Sequence, residues 1–216
     1  MIRKFGLCIM TGAMVAALAS SAEAVMLSGA FSKGGTFEPV SCVGGVCTPL
    51  VNTLAGATAI DVTNVVGVPT PGAAGPITGA NATGDFIGLG LNGAVGSMSD
   101  FSFVAGTGTA NYPNAPIASF EVFPGILTFN LTSVIVTFQS ATQLALTGTG
   151  MFVNVAGGFE NTPGTFNFTG QGSQGSFTFS ATQTATPTAV PDGGSTAALL
   201  GSVLVAFGVL RRKLGK

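Results

Sequence analysis

The chain has 216 residues, a formal charge of −1, no histidine and no tryptophan. The charge is uneven: Arg3, Lys4, Arg211, Arg212, Lys213 and Lys216 sit at the ends, while residues 25–190 hold one base, Lys33, against six acids, a net −5. Without a basic patch, nucleic-acid binding is excluded as an expectation. Without histidine there is no Ser-His-Asp or Cys-His pair and no His-ligated zinc or haem.

In chain order, residues 1–24 read as a secretory signal helix. Arg3 and Lys4 form a positive head, an apolar run extends from about Leu7 to Leu18, and Ala22-x-Ala24 supplies the small-x-small site for signal peptidase. The run is too short to span ~30 Å of hydrocarbon at about 1.5 Å per residue. Cys8 follows Leu7 and reads as part of the apolar body rather than as a lipoprotein cysteine.

Residues 25–181 read as an all-β domain, an antiparallel β-sandwich or jelly roll. Alternation places Phe101 with Phe103, Leu127 with Phe129 and Leu131, Leu144 with Leu146, Phe166 with Phe168, and Phe177 with Phe179 on shared faces. Val134, Val136 and Phe138 alternate with Ile135 and Thr137, which predicts a strand buried on both sides. Weaker strands are expected at Met26–Phe31, Ala57–Val62 and Ala118–Phe123. Pro124-Gly125 and Pro163-Gly164 read as turns, and Gly170 to Gly175 as a hairpin loop whose arms are Phe-Asn-Phe-Thr and Phe-Thr-Phe-Ser. Residues 64–98, rich in Gly, Ala and Pro, read as surface loops with one short strand. With so few charges, solubility falls to Thr, Ser, Asn and Gln, and the surface is expected to associate with itself or with neutral polymers.

Cys42 and Cys47 are the cysteines left after signal removal, and export favours a disulfide between them. A redox pair would more usually be separated by two residues, and a metal site lacks histidine partners. Asp85 and Asp100 read as solvated turn residues, and no Asp-x-Asp-x-Asp calcium loop occurs. Glu121 and Glu160 are the acids a glycosidase would need to bring together, but with Tyr112 the one tyrosine and no tryptophan, a sugar platform is lacking. No catalytic residue, metal or cofactor is assigned. Three Asn-x-Thr triplets begin at Asn81, Asn130 and Asn167, matches that a Thr-rich chain produces by chance.

Residues 182–189 read as a Thr/Ala/Pro linker. Residues 190–216 form a tripartite tail: a motif over 190–196, an apolar transmembrane stretch over 197–210, roughly 21 Å as a helix, and a basic end over 211–216. Val190-Pro191 favours extended backbone, and Asp192-Gly193-Gly194 a flexible turn, which together suit a protease. Arg211, Arg212 and Lys213 would stop transfer on the cytoplasmic side, leaving the domain outside.

This tail resembles the PEP-CTERM class of bacterial sorting signals, in the variant reading Val-Pro-Asp-Ser-Gly. Val190, Pro191, Asp192 and Gly194 match; Gly193 stands where serine is usual. The resemblance implies recognition by an exosortase, a membrane-embedded cysteine transpeptidase or protease. It implies transient residence in the inner membrane, then the surface or exopolysaccharide matrix of a Gram-negative bacterium, with a structural or adhesive role linked to biofilm. The segments Leu146-Thr147-Gly148-Thr149-Gly150, Thr162-Pro163-Gly164-Thr165-Phe166 and Phe177-Thr178-Phe179-Ser180-Ala181 also resemble ectodomains that precede such tails. The alternative reading is a secreted carbohydrate-active enzyme on a jelly roll.

Overall fold

The computed structural model describes residues 25–44, 46–62, 74–103, 113–153, 155–173, 176–187, 200–205, 207–208 and 211–212. The domain Val25–Thr188 forms one compact unit. Its strands are β1 Gly29–Thr36, β2 Glu38–Val43, β3 Val46–Pro49, β4 Ala59–Asp61, β5 Gly75–Ala80, β6 Val95–Met98, β7 Phe101–Ser102, β8 Ile117–Phe123, β9 Leu127–Gln139, β10 Gln143–Val153, β11 Thr162–Ser173 and β12 Ser176–Ala185.

Eight of these close a barrel in the order β1-β12-β11-β10-β9-β8-β6-β5, and the others form a four-stranded sheet, β3-β2-β4-β7. All the strand pairings are antiparallel. The fold is therefore all-β, and the sandwich or jelly roll gives way to a closed barrel. Strand length and glycine placement account for this. β9 to β12 are long strands joined by hairpins, and closure pairs β1 with both β12 and β5. An eight-stranded barrel has an interior just wide enough for side chains to fill.

The filling follows a large-to-small rule. The inward row of β10 is Leu144, Leu146, Gly148, Gly150 and Phe152, and that of β11 is Thr162, Gly164, Phe166, Phe168 and Gly170. The Phe129 ring occupies the space where a side chain at Gly150 would sit; Phe152 does the same at Gly164, and Phe37 at Gly170. Glycine within these strands thus makes room for rings, as tapering barrel interiors require. Apart from Phe138 and Phe159, the phenylalanines of residues 25–190 are buried. They touch in pairs such as Phe129–Phe152 at 4.9 Å and Phe168–Phe179 at 5.1 Å between centroids. Each buried ring contributes about 1.5–3 kcal/mol by burial, and each favourable pair ~0.5–1.5 kcal/mol more. Phe101 on β7 packs edge-on against Phe120 and Phe166 and so ties the second sheet to the barrel core.

Several expected elements differ. Residues 64–98 hold two described strands, β5 and β6, and a helical turn, Asp85–Gly88, because Ile77, Phe86, Leu91 and Met98 all reach the core. Leu127 to Phe138 is one strand rather than two, and its far half is not buried on both sides: Ile135 is 61 % and Phe138 52 % exposed. That half extends past the register of β8, which ends its pairing at Leu131. Pro163-Gly164 lies inside β11 rather than in a turn. β12 continues through Ala185, four residues into the expected linker, because Gln183 and Ala185 still face the interior.

No helix among the described residues is long and apolar enough to cross a membrane. In the tail, residues 200–205, 207–208 and 211–212 are helical, with Leu200, Leu204 and Phe207 exposed. The expected signal helix, residues 1–24, lies outside the described residues.

Candidate functional site

Two regions carry candidate chemistry: the sorting tail and the polar groups inside the domain. Of the tail's site residues, Arg211 and Arg212 are helical and exposed. Val190, Pro191, Asp192, Gly193, Gly194 and Lys213 lie outside the described residues, as do Ala22 and Ala24 of the signal cleavage site.

Cys42 and Cys47 stand opposite each other on β2 and β3 and are joined by a disulfide with Cα atoms 4.0 Å apart. The bond closes the β2–β3 hairpin through the turn at Gly44, whose φ of 58° suits glycine. Cys42 is buried beside Val40 and Ala59, so the bridge also anchors the hairpin in a small apolar cluster.

The charges of the domain are turned inward. Lys33, Glu38, Asp61, Asp100 and Glu121 are all buried; only Asp85 and Glu160 of residues 25–190 reach the surface. Asp100 is thus not the solvated turn residue expected: its Oδ1 accepts the Val62 N–H at 2.9 Å. Asp85 is half-buried and accepts both the N–H and the hydroxyl of Ser28, at 2.8 and 3.0 Å. Glu38 on β2 stands across from Asp61 on β4. Both are fully excluded from solvent, so they offer no open groove for a sugar chain. Glu121 and Glu160 do not share a cleft either. Glu121 is buried inside the barrel, whereas Glu160 is exposed beside the bridge to Met26.

The centre of the barrel holds Lys33 from β1, Glu121 from β8 and Gln183 from β12. Lys33 Nζ lies 2.6 Å from Glu121 Oε2, an ion pair with neither side chain exposed. The ammonium also sits 5.0 Å from the Phe31 ring and 5.3 Å from the Phe166 ring, close enough for cation–π attraction. Burial holds the Lys33 amine below its ordinary range, against the opposing pull of Glu121. Burial likewise pushes the Glu121 carboxyl up, opposed first by Lys33 and then by a weaker contact with Gln183.

Glu121 shares the inward parity of Ile117 and Phe123, and a backbone bulge turns its neighbour Phe120 inward as well. Ser119 has φ 52°, and its N–H donates to Asn130 Oδ1 at 2.8 Å. The β8–β9 register shifts there, and consecutive residues Phe120 and Glu121 are both buried. Sequence reasoning missed this cluster. The available signal was the spacing Phe31-x-Lys33, which puts the domain's one base on the inward face of a strand.

The family model described as the VPDSG-CTERM motif matches residues 189–214. No curated protein and no solved structure matches the chain.

Proposed function

We propose that this chain, an exported protein whose VPDSG-CTERM motif directs it to an exosortase for sorting to the surface, supplies a structural or adhesive barrel to the exopolysaccharide matrix of a Gram-negative cell. The charge distribution of the domain carries the reading. With Lys33, Glu38, Asp61, Asp100 and Glu121 buried, Asp85 and Glu160 are the charges left at the exterior, which is otherwise made of Thr, Ser, Asn, Gln, backbone and apolar side chains such as Val43, Val46, Val95 and the far half of β9. A sparsely charged, hydroxyl-rich exterior repels copies of itself weakly and does not select against uncharged polysaccharide, and its contacts depend little on salt screening.

In this reading the tail is a temporary handle. Its apolar stretch holds the chain in the inner membrane, Arg211, Arg212 and Lys213 stay cytoplasmic, and the exosortase cuts near Val190 to Gly194. Signal peptidase acts earlier, after Ala24. The domain itself is not an enzyme; its buried carboxylates serve the interior.

Cell fractionation with and without the exosortase tests the sorting step: the domain should reach the matrix without its C-terminal residues only when the enzyme is present. Co-sedimentation with purified matrix polysaccharide tests the role. Binding that persists unchanged from low to high salt is expected, and absence of binding to both polysaccharide and itself would sink it.

A further inference from the structure

We infer that Lys33 and Gln183 become joined by an amide bond inside the barrel, with Glu121 carrying the protons. Three groups whose chemistry fits this reaction are buried together in the barrel: an amine, a carboxyl and a primary carboxamide. Lys33 Nζ and Glu121 Oε2 are 2.6 Å apart, and neither side chain is exposed. Gln183 is fully buried, and its side chain lies close enough to Glu121 to favour the carboxylate.

The register of the two strands supplies reach. Phe31 pairs with Gln183 and Lys33 with Ala181, so Lys33 and Gln183 are diagonal neighbours on the inward face of adjacent strands. Long side chains in that relation can touch. A fully buried glutamine is costly as a purely structural element, because an apolar residue would fill the same space without the loss of amide solvation. As an acyl donor its position is explained.

The surroundings favour the reaction. Burial favours moving the proton from the Lys33 ammonium to Glu121, which leaves a neutral amine able to attack. Nζ adds to Cδ of Gln183 while Glu121 gives its proton to the carbonyl oxygen. Glu121 then takes a proton from Nζ and passes it to the departing amide nitrogen. The Cδ–Nε2 bond breaks as the hydroxyl of the adduct gives its proton to Glu121 and the carbonyl re-forms; Glu121 passes that proton to the departing ammonia, which leaves as ammonium, so the Nζ–Cδ bond remains and Glu121 ends as its carboxylate. No oxidant or external cofactor is consumed. Held groups make the step unimolecular, and the dry interior protects the product from hydrolysis.

The bond would lock β1 to β12, the first and last strands of the barrel, at the end of the domain that leads into the sorting tail. A surface protein pulled by its ends would then carry load through a covalent link rather than through strand pairing alone.

The test is peptide mapping by tandem mass spectrometry of the full chain, produced with its own leader, purified folded, then reduced and digested with chymotrypsin. The expected result is one branched peptide containing Lys33 and Gln183, lighter than its parts by one ammonia. Lys33→Arg and Glu121→Gln, each checked for folding by circular dichroism, should yield the unlinked peptides at full mass. An unmodified Lys33 in the folded native chain overturns the inference. A branched peptide joining Lys33 to Glu121, lighter by one water, overturns the assignment to Gln183. A link that still forms in Glu121→Gln overturns the role of the carboxyl.

Discussion

Lys33 on β1 and Glu121 on β8 meet across the barrel interior, Nζ to Oε2 at 2.6 Å, with no water access to either. Removing one partner strands the other. Lys33→Met should therefore cost about 3–5 kcal/mol at neutral pH. The cost depends on pH in a definite sense. Burial raises the folded-state value of the Glu121 carboxyl above its ordinary 4.5, and losing Lys33 removes the main opposing influence. A raised value means stability that is fully present below pH 4.5 and is lost as pH rises through the folded value. Lys33→Met should thus be most resistant to urea in acid and weaken on the way to neutrality. A Lys33→Met/Glu121→Leu double variant, which keeps neither buried ionisable group, should show little of this dependence. Urea unfolding across pH checks both.

Glu121→Leu gives the mirror case. Burial depresses the Lys33 amine below its ordinary 10.5. A depressed value means stability that is present above pH 10.5 and is lost as pH falls through the folded value. Glu121→Leu should unfold at lower urea at neutral pH than under alkaline conditions, opposite in slope to Lys33→Met.

Gly150 and Gly164 leave the space that Phe129 and Phe152 fill. Gly150→Ala or Gly164→Ala forces a ring or a strand to move, at a cost of ~1–3 kcal/mol. Gly90 has no neighbour close to the position of an added side-chain carbon, but its φ of 75° resists one, so Gly90→Ala separates backbone strain from crowding. Thermal unfolding should show the two strand positions more sensitive than Gly88, which has open space and carries no positive φ.

The Cys42–Cys47 bond closes a short hairpin outside the barrel. Cys42→Ser/Cys47→Ser should lower stability by about 2 kcal/mol, as a loop this small constrains little of the unfolded chain. The barrel should survive. The check is an unchanged circular-dichroism spectrum with a lower unfolding midpoint.

Ile135 and Phe138 hold apolar side chains in solvent on the far half of β9. Ile135→Thr/Phe138→Ser should leave the unfolding midpoint nearly unchanged, within ~0.5 kcal/mol, while reducing self-association measured by sedimentation velocity. Unaltered association would remove this strand from the adhesive surface.

The sequence by itself determined the β class, the approximate place of most strands and the nature of the tail. These are local properties: period-two alternation of phenylalanine, and a motif followed by an apolar run and a basic end. The family match over residues 189–214 rests on that contiguous stretch. Tertiary structure alone decided that the sheet closes, because closure depends on β1 pairing with both β12 and β5 over separations no local pattern encodes. It also decided which way the charges point. Alternation places Lys33 and Glu121 each on the inward face of its strand but does not say that they meet across the lumen, since the order in which the strands close the barrel sets that. A glycine reads as a turn in one dimension; only the ring of Phe129 against Gly150, or of Phe152 against Gly164, shows it to be space reserved inside a barrel.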